Sequence, residues 1–191
     1  MWGGHRLKKE YGIEDDREPM AEAWVLSCHP DGLSLVDSGE HEGITLDEYI
    51  RIKGKGILGR NSERFSDFPV LIKLIDAKKD LSIQVHPDDE YALRTEGQNG
   101  KTEVWFILDA AEGAFIYYGF DHIISAEEFR QRISDNTIED VLHRVLVHPG
   151  EVYFIPPGTL HAIGAGCLIA EIQENSNVTY RIYDYGRVGA D

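Results

Sequence analysis

The side chains best equipped for chemistry in this sequence are polar groups embedded in apolar runs. They are Gln84 and His86 in LSIQVHPDD, Glu103 in GKTEVWFIL and His161 in PPGTLHAIG. Strand alternation puts Leu81, Ile83 and Val85 on one face of the first segment and Ser82, Gln84 and His86 on the other. The apolar face is core. Three polar groups on the inside of a sheet are costly unless they bond to one another, hold a metal or face a wet pocket. For His86 alone the competing reading is a cap on the helix that begins at Pro87. Glu103 shares a strand face with Trp105 and Ile107, so it needs a charge partner unless the strand is an edge that turns it to solvent. Lys101 lies on the same side if the strand already runs that far. His161 by itself reads as a satisfied core or turn residue, but it is the third partner in a possible set. Two imidazoles, one carboxylate and an amide oxygen or water suit zinc or another borderline divalent cation.

Two later segments offer pocket walls. In IAEIQENSNVTYRIYDY, Glu171 and Gln173 share one strand face, and Arg181 and Tyr183 share a face of the next strand. A guanidinium such as Arg181 can hold a phosphate or an anionic intermediate, and it can equally be a surface ion-pair residue. His5, His29 and His41 sit in polar, turn-rich segments and are expected to be solvated. Asp88, Asp89 and Glu90 read as helix-start acids, and Trp24, Trp105 and the FIYYGF tyrosines as core or pocket-wall aromatics.

These groups meet only if the fold brings them together. The runs VLIKLIDA, LSIQVH, TEVWFIL and FIYYGF are short, β-branched or aromatic, and separated by turns, so they are strands. The stretch from His143 to Tyr185 adds at least four more strand-like pieces punctuated by Pro-Gly and Gly turns. No helices of ten to fifteen residues separate them, as a parallel sheet would require. The fold class is therefore mainly β, an antiparallel double-sheet jelly roll or small barrel with a few short helices. Thr45 with Glu48, Ser125 with Glu128, and Asn136 with Glu139 have capping-box spacing before short helices. Another short helix is expected from Pro87, ending before Gly97. Upstream of Arg64 the chain is turn-rich, with one possible strand at 22–27.

The 191 residues suffice for one domain with a sizeable core, and the chain has no repeat or interdomain linker. Its 34 acidic and 19 basic side chains leave a net charge of -15 without a basic block, which argues against nucleic acid or an anionic membrane as partner. An anionic metabolite would need a locally basic pocket. Cys28 and Cys167 are too few to staple a secreted scaffold, and Cys167 reads as a small buried hydrophobe. With no apolar leader and no membrane-length run, the default address is the cytoplasm. The GRVGAD ending follows the final strand without a closing helix.

The blocks WGGHRL, FPVLIKLIDAKKDLSIQVHPDDEYA, GKTEVWFIL, VYFIPPGTLHAIGAGCLIAEIQ and NVTYRIYDY together closely resemble the type I mannose-6-phosphate isomerases, in their short bacterial form. These are zinc-dependent cupins. The resemblance covers nearly the whole chain and implies a cupin double-stranded β-helix. It implies Zn2+ ligands at Gln84, His86, Glu103 and His161, and catalytic roles for Arg181, Lys101 and Glu171. The implied reaction interconverts mannose 6-phosphate and fructose 6-phosphate through an enediol or enediolate. The implied partner is a small sugar phosphate, with the protein a monomer or weak homo-oligomer. Family members have a strand before the WGG motif, whereas here the motif begins at Trp2. They also continue past YDY into a second, smaller cupin-like domain, so the expectation is a single cupin catalytic domain over 1–191. Asn177 stands where the family block has aspartate, keeping hydrogen bonding but losing charge and base strength. That departure favours the alternative of a non-catalytic zinc cupin that binds sugar phosphate or belongs to a larger assembly.

Overall fold

The period-two runs all become strands. A computed structural model describes residues 2–187, so 188–191 of the GRVGAD ending lie outside it. The strands are β1 (Glu22–Leu26), β2 (Val70–Asp76), β3 (Ile83–Val85), β4 (Glu103–Ala110), β5 (Phe115–Phe120), β6 (Leu142–Leu146), β7 (Val152–Ile155), β8 (His161–Ile163), β9 (Cys167–Glu174) and β10 (Tyr180–Tyr183). They form two five-stranded sheets, ordered β1-β2-β9-β4-β7 and β10-β3-β8-β5-β6. Every pairing is antiparallel. This is the expected jelly-roll arrangement. Among the described residues no helix is long and apolar enough to cross a membrane.

Register decides what the interior contains. Directly paired residues project from the same face of a sheet, so each rung places a row of side chains side by side. In the first sheet one inward rung is Ile75, Ile169 and Ile107, and the next is Trp24, Lys73, Glu171, Trp105 and Tyr153. The third is Leu71, Gln173, Glu103 and Ile155. The interior therefore grades from an apolar end to a charged one. The apolar end holds Ile107, Ile169, Ile116, Ile163 and Cys167, all buried in one cluster between the sheets. Cys167 is the small buried hydrophobe expected.

The second sheet corrects one reading. Ile83 does not face the core between the sheets. It packs outward with Ile138, Val141 and Leu142 in a separate cluster that seals the sheet's far side. The polar face of LSIQVH consequently points inward, and Leu81, just before the strand, is its contribution to the central core.

Short helices close the rims. Helix α1 (Arg6–Tyr11) has no side-chain cap and no acid in its first turn. Its local signals are at the end, where Gly12 at φ 64° caps it, and packing fixes its start. Leu7 is buried against Met20 and Leu168, and the Arg6 N–H donates to Asp76 Oδ2 at 2.8 Å. Gly4 must be glycine there, because a Cβ would collide with the Asp76 carboxylate. Helices α2 (Leu46–Lys53) and α4 (Ala126–Ser134) start as expected, with Thr45 and Ser125 accepting from the N–H groups of Glu48 and Glu128. In α3 (Asp89–Thr95) the cap is Asp88, and Pro87 stands one residue outside the helix. Asn136 caps no helix start; it ends α4 instead, the Asn136 and Thr137 N–H groups donating to the Ile133 and Arg132 carbonyls. It adopts φ 57°, and NTIEDV yields a single 3-10 turn at Ile138–Val141 before β6, because Ile138 and Val141 are needed against the sheet. His29 is buried, 4% exposed, contrary to its expected solvation. It is held by the loop's own hydrogen bonds, Ser27 Oγ accepting its N–H at 3.0 Å.

Core and rim should respond differently to truncation. Ile107→Ala, at a fully buried site, is expected to lower unfolding stability by about 2–5 kcal/mol in urea titrations. Ile123→Ala, 99% exposed, should stay within about 0.5 kcal/mol of the parent.

Candidate metal centre

His86 directly follows β3, Glu103 opens β4 and His161 opens β8, so three strand ends from two sheets deliver the cluster. Their potential ligand atoms all lie within 4.8 Å of one another, and all three residues are buried. Each imidazole is oriented from behind. His86 Nδ1 donates to the Val178 carbonyl at 3.1 Å, and His161 Nδ1 donates to the Thr159 carbonyl at 2.8 Å. With Nδ1 protonated, both Nε2 atoms are lone pairs that face each other at 3.2 Å, and Lys101 Nζ lies 3.4 Å from that of His86, within hydrogen-bond reach. Burial lowers the pKa of His86 and takes that of His161 down to about 4, so both rings are neutral at pH 7.

Glu103 completes the set. Its Oε1 lies 3.2 Å from His86 Nε2 and 2.8 Å from Lys101 Nζ, yet accepts no properly aligned hydrogen bond. Burial opposes its ionisation, but the Lys101 ammonium and the His86 contact outweigh that and hold its pKa well below the usual carboxylate range. Two opposed lone pairs and an under-satisfied buried carboxylate oxygen fit a divalent cation.

Behind the cluster runs a chain of shared charges. Trp105 Nε1 donates to Glu103 Oε2 at 2.9 Å and also lies 3.1 Å from Glu171 Oε2. Glu171 in turn pairs with Lys73 Nζ at 3.4 Å. Burial, reinforced by the Glu103 charge, pushes the pKa of Glu171 up. For Lys101, burial works against the ammonium, but Glu103 and Glu171 more than compensate and its pKa rises.

The cluster lies beside a cavity of about 770 Å³ whose lining includes Gln84, Lys101, Glu171 and Arg181. Gln84 pairs in register with His161 on one side and Arg181 on the other, so the three share one face of the sheet. Arg181 is exposed at the cavity wall. The lining carries five cationic side chains, Lys73, Lys79, Lys101, Arg181 and Arg187, against Glu22, Glu171 and Asp184. This local excess reverses the sign of a chain whose net charge is -15. A larger cleft of about 1360 Å³, lined by Leu33, Phe65, Phe68, Val104 and Ile172, reaches Glu103 from another side and takes in Asp31, and it does not have this cationic character.

Two participants were missed in the sequence. Lys73 occupies an inward position between Leu71 and Ile75, so the alternation of VLIKLID carried the signal. Trp105 is more than an aromatic surface, since its N–H is shared by two carboxylates.

A double-sheet β-barrel with a His-Glu-His cluster in its polar interior defines a metal-binding cupin. The chain belongs to the type I phosphomannose isomerase family: residues 1–108 match the family's catalytic domain, described as "Phosphomannose isomerase type I, catalytic domain". It is 43% identical over 187 residues to a mannose-6-phosphate isomerase of Streptococcus mutans, covering 98% of this chain and 58% of that protein. It is 40% identical over 193 residues to the mannose-6-phosphate isomerase ManA of Bacillus subtilis, covering 59% of that protein. The crystal structure of mannose 6-phosphate isomerase from Bacillus subtilis superposes with a TM-score of 0.90 at 42% identity, covering 99% of this chain and 59% of that one. The chain thus spans about three-fifths of the length of these relatives.

The buried Lys73–Glu171 pair gives a pH-dependent prediction. Lys73→Met leaves Glu171 without its cation and should cost about 3–5 kcal/mol where Glu171 is ionised. Losing Lys73 raises the folded pKa of Glu171 further, so the penalty is full above the variant's folded pKa. It shrinks as pH falls from there towards the parent's folded pKa and is gone below that, where both proteins hold Glu171 protonated. Urea titrations of both proteins across the acidic range check this, and a pH-independent difference contradicts it.

Proposed function

We propose that the chain is an aldose-ketose isomerase that interconverts mannose 6-phosphate and fructose 6-phosphate with Zn2+ as cofactor. The observation that carries this reading is the pair of neutral imidazoles with opposed Nε2 atoms beside the Glu103 carboxylate, set next to a cationic cavity in an acidic protein. His86, Glu103 and His161 would hold the ion, with Gln84 as fourth ligand from the neighbouring register position. When bound, the cation supplies Lewis-acid polarisation of the sugar carbonyl.

The remaining work falls to the chain's own groups. Isomerisation moves a proton between C1 and C2 and places negative charge on the adjoining oxygens. Glu171, with its raised pKa, is suited to take that proton from one carbon and return it to the other. Lys101 Nζ, held by Glu103, donates a hydrogen bond to a sugar hydroxyl and assists ring opening. Arg181 balances the developing oxyanion or the phosphate from the opposite wall. Trp2 and Trp24 line the same cavity and limit water access.

Both sheets contribute to this set, which supports residues 1–191 acting as one cupin catalytic domain. The partner is then a small sugar phosphate, the working form a monomer or weak homo-oligomer, and the compartment the cytoplasm. Light scattering across concentration tests the assembly state.

A coupled assay for ketose phosphate from mannose 6-phosphate tests the reaction. Activity should disappear with a chelator and return with zinc, and a metal-replete protein that forms no ketose would sink the reading. Arg181→Ala is expected to lower kcat roughly 10²–10³-fold while leaving metal content unchanged. His161→Ala should lose the metal itself, as read by elemental analysis.

A further inference from the structure

We propose that Asp31 and Asn177 are a matched positioning pair that bridges the two sheets where the larger cleft, lined by Asp31, adjoins the cavity lined by Asn177, with residue 177 an amide because Asp31 supplies the carboxylate. This deepens the metal-dependent reading above and rests on it. The outermost strand on one side of the mouth is β1, and on the other it is β10. The two belong to different sheets, so no strand pairing ties these lips together. Trp24 of β1 and Arg181 of β10 both line the cavity between them.

Across this gap the Asn177 side-chain amide donates to Asp31 Oδ2. Both partners are presented by anchored loops. The Asp31 N–H donates to Nδ1 of the buried His29 at 3.1 Å, and His29 Nε2 lies 3.4 Å from Gln98 Oε1. On the other side, Ser176 is buried and its hydroxyl donates to the Asn99 carbonyl at 2.8 Å. Asn177 is followed at once by Val178, whose carbonyl aims His86, and then by the strand that carries Arg181. A shift of residue 177 is therefore transmitted to both the metal cluster and the cavity wall.

Charge decides which side chain can stand there. An ionised carboxylate only accepts, so aspartate at 177 would face Asp31 with two acceptors and like charge. Asparagine turns the same contact into a charge-assisted hydrogen bond. The amide at 177 is the complement of Asp31 rather than a lost catalytic carboxylate. Both residues are accessible enough for exchange without disturbing a core, Asp31 having a side chain 62% exposed.

The test is a swap. N177D, D31N and the D31N/N177D double variant are compared with the parent for zinc affinity by chelator competition. The His86 Nδ1–H resonance is followed by NMR in metal-free protein. N177D is expected to weaken zinc binding roughly tenfold, the low end of what loss of an orienting partner costs, and to shift or broaden the His86 signal. The double variant should recover both to within about twofold of the parent on the same scale. An N177D protein that behaves like the parent, or a double variant no better than N177D, overturns the pairing. If the parent itself binds no zinc, the metal reading of the site fails. The His86 resonance still decides the pairing in that case, because an unshifted signal in N177D rejects it.

Discussion

Ionised groups between two apolar sheets are tolerated only when each one has a partner, and this constraint organises the whole molecule. The inward face of the first sheet carries Lys73, Glu171 and Glu103 within two adjacent rungs. Trp105 stands between the two carboxylates in the same register and offers its one N–H to both. Lys101 and Lys73 close the chain at either end. A slip of one residue in β4 would send Glu103 and Trp105 outward and cut the Lys73–Glu171 pair off from the metal cluster. The same register that packs Ile75, Ile169 and Ile107 at the dry end thus assembles the reactive end.

The histidines obey a second constraint, imposed by carbonyl groups outside the sheets. Val178 and Thr159 lie in loops, and each holds the Nδ1 proton of one ring. Burial keeps both rings neutral, so the Nε2 lone pairs are presented without competition from protons at neutral pH. Lone pairs from two strands face each other at 3.2 Å, with the Lys101 ammonium 3.4 Å from the His86 one. Cation affinity here is a property of the loops as much as of the ligands, which is why the residues that hold those loops enter the function.

Much of this was readable in the chain. The strand runs, the capping boxes at Thr45 and Ser125, and the inward alternation of Gln84, His86, Glu103, Glu171 and Arg181 all depend on periods of two or on local hydrogen bonds within four residues. Such signals survive without tertiary context. Where context dominates, the reading failed in understandable ways. Helix α1 has no local start signal because Leu7 and the Asp76 carboxylate hold it. Asn136 closes the end of α4 rather than opening a helix, because the apolar residues after it were drawn onto the outer face of a sheet. His29 looked solvated in a polar segment, yet it anchors the loop that presents Asp31. Lys73 is legible by alternation, at an inward position between Leu71 and Ile75.

The sequence by itself determined which side chains share a strand face and that several of them are too polar to be buried alone, because covalent geometry alternates side chains along any extended segment. It also set an acidic overall charge that demands a locally basic pocket for any anionic substrate. Only the tertiary structure decided that His86, Glu103 and His161 meet, that the two ring tautomers point their lone pairs inward, and that Asn177 faces Asp31. Those facts depend on register between strands distant in sequence and on loop carbonyls whose positions follow from packing, and neither is encoded in local spacing.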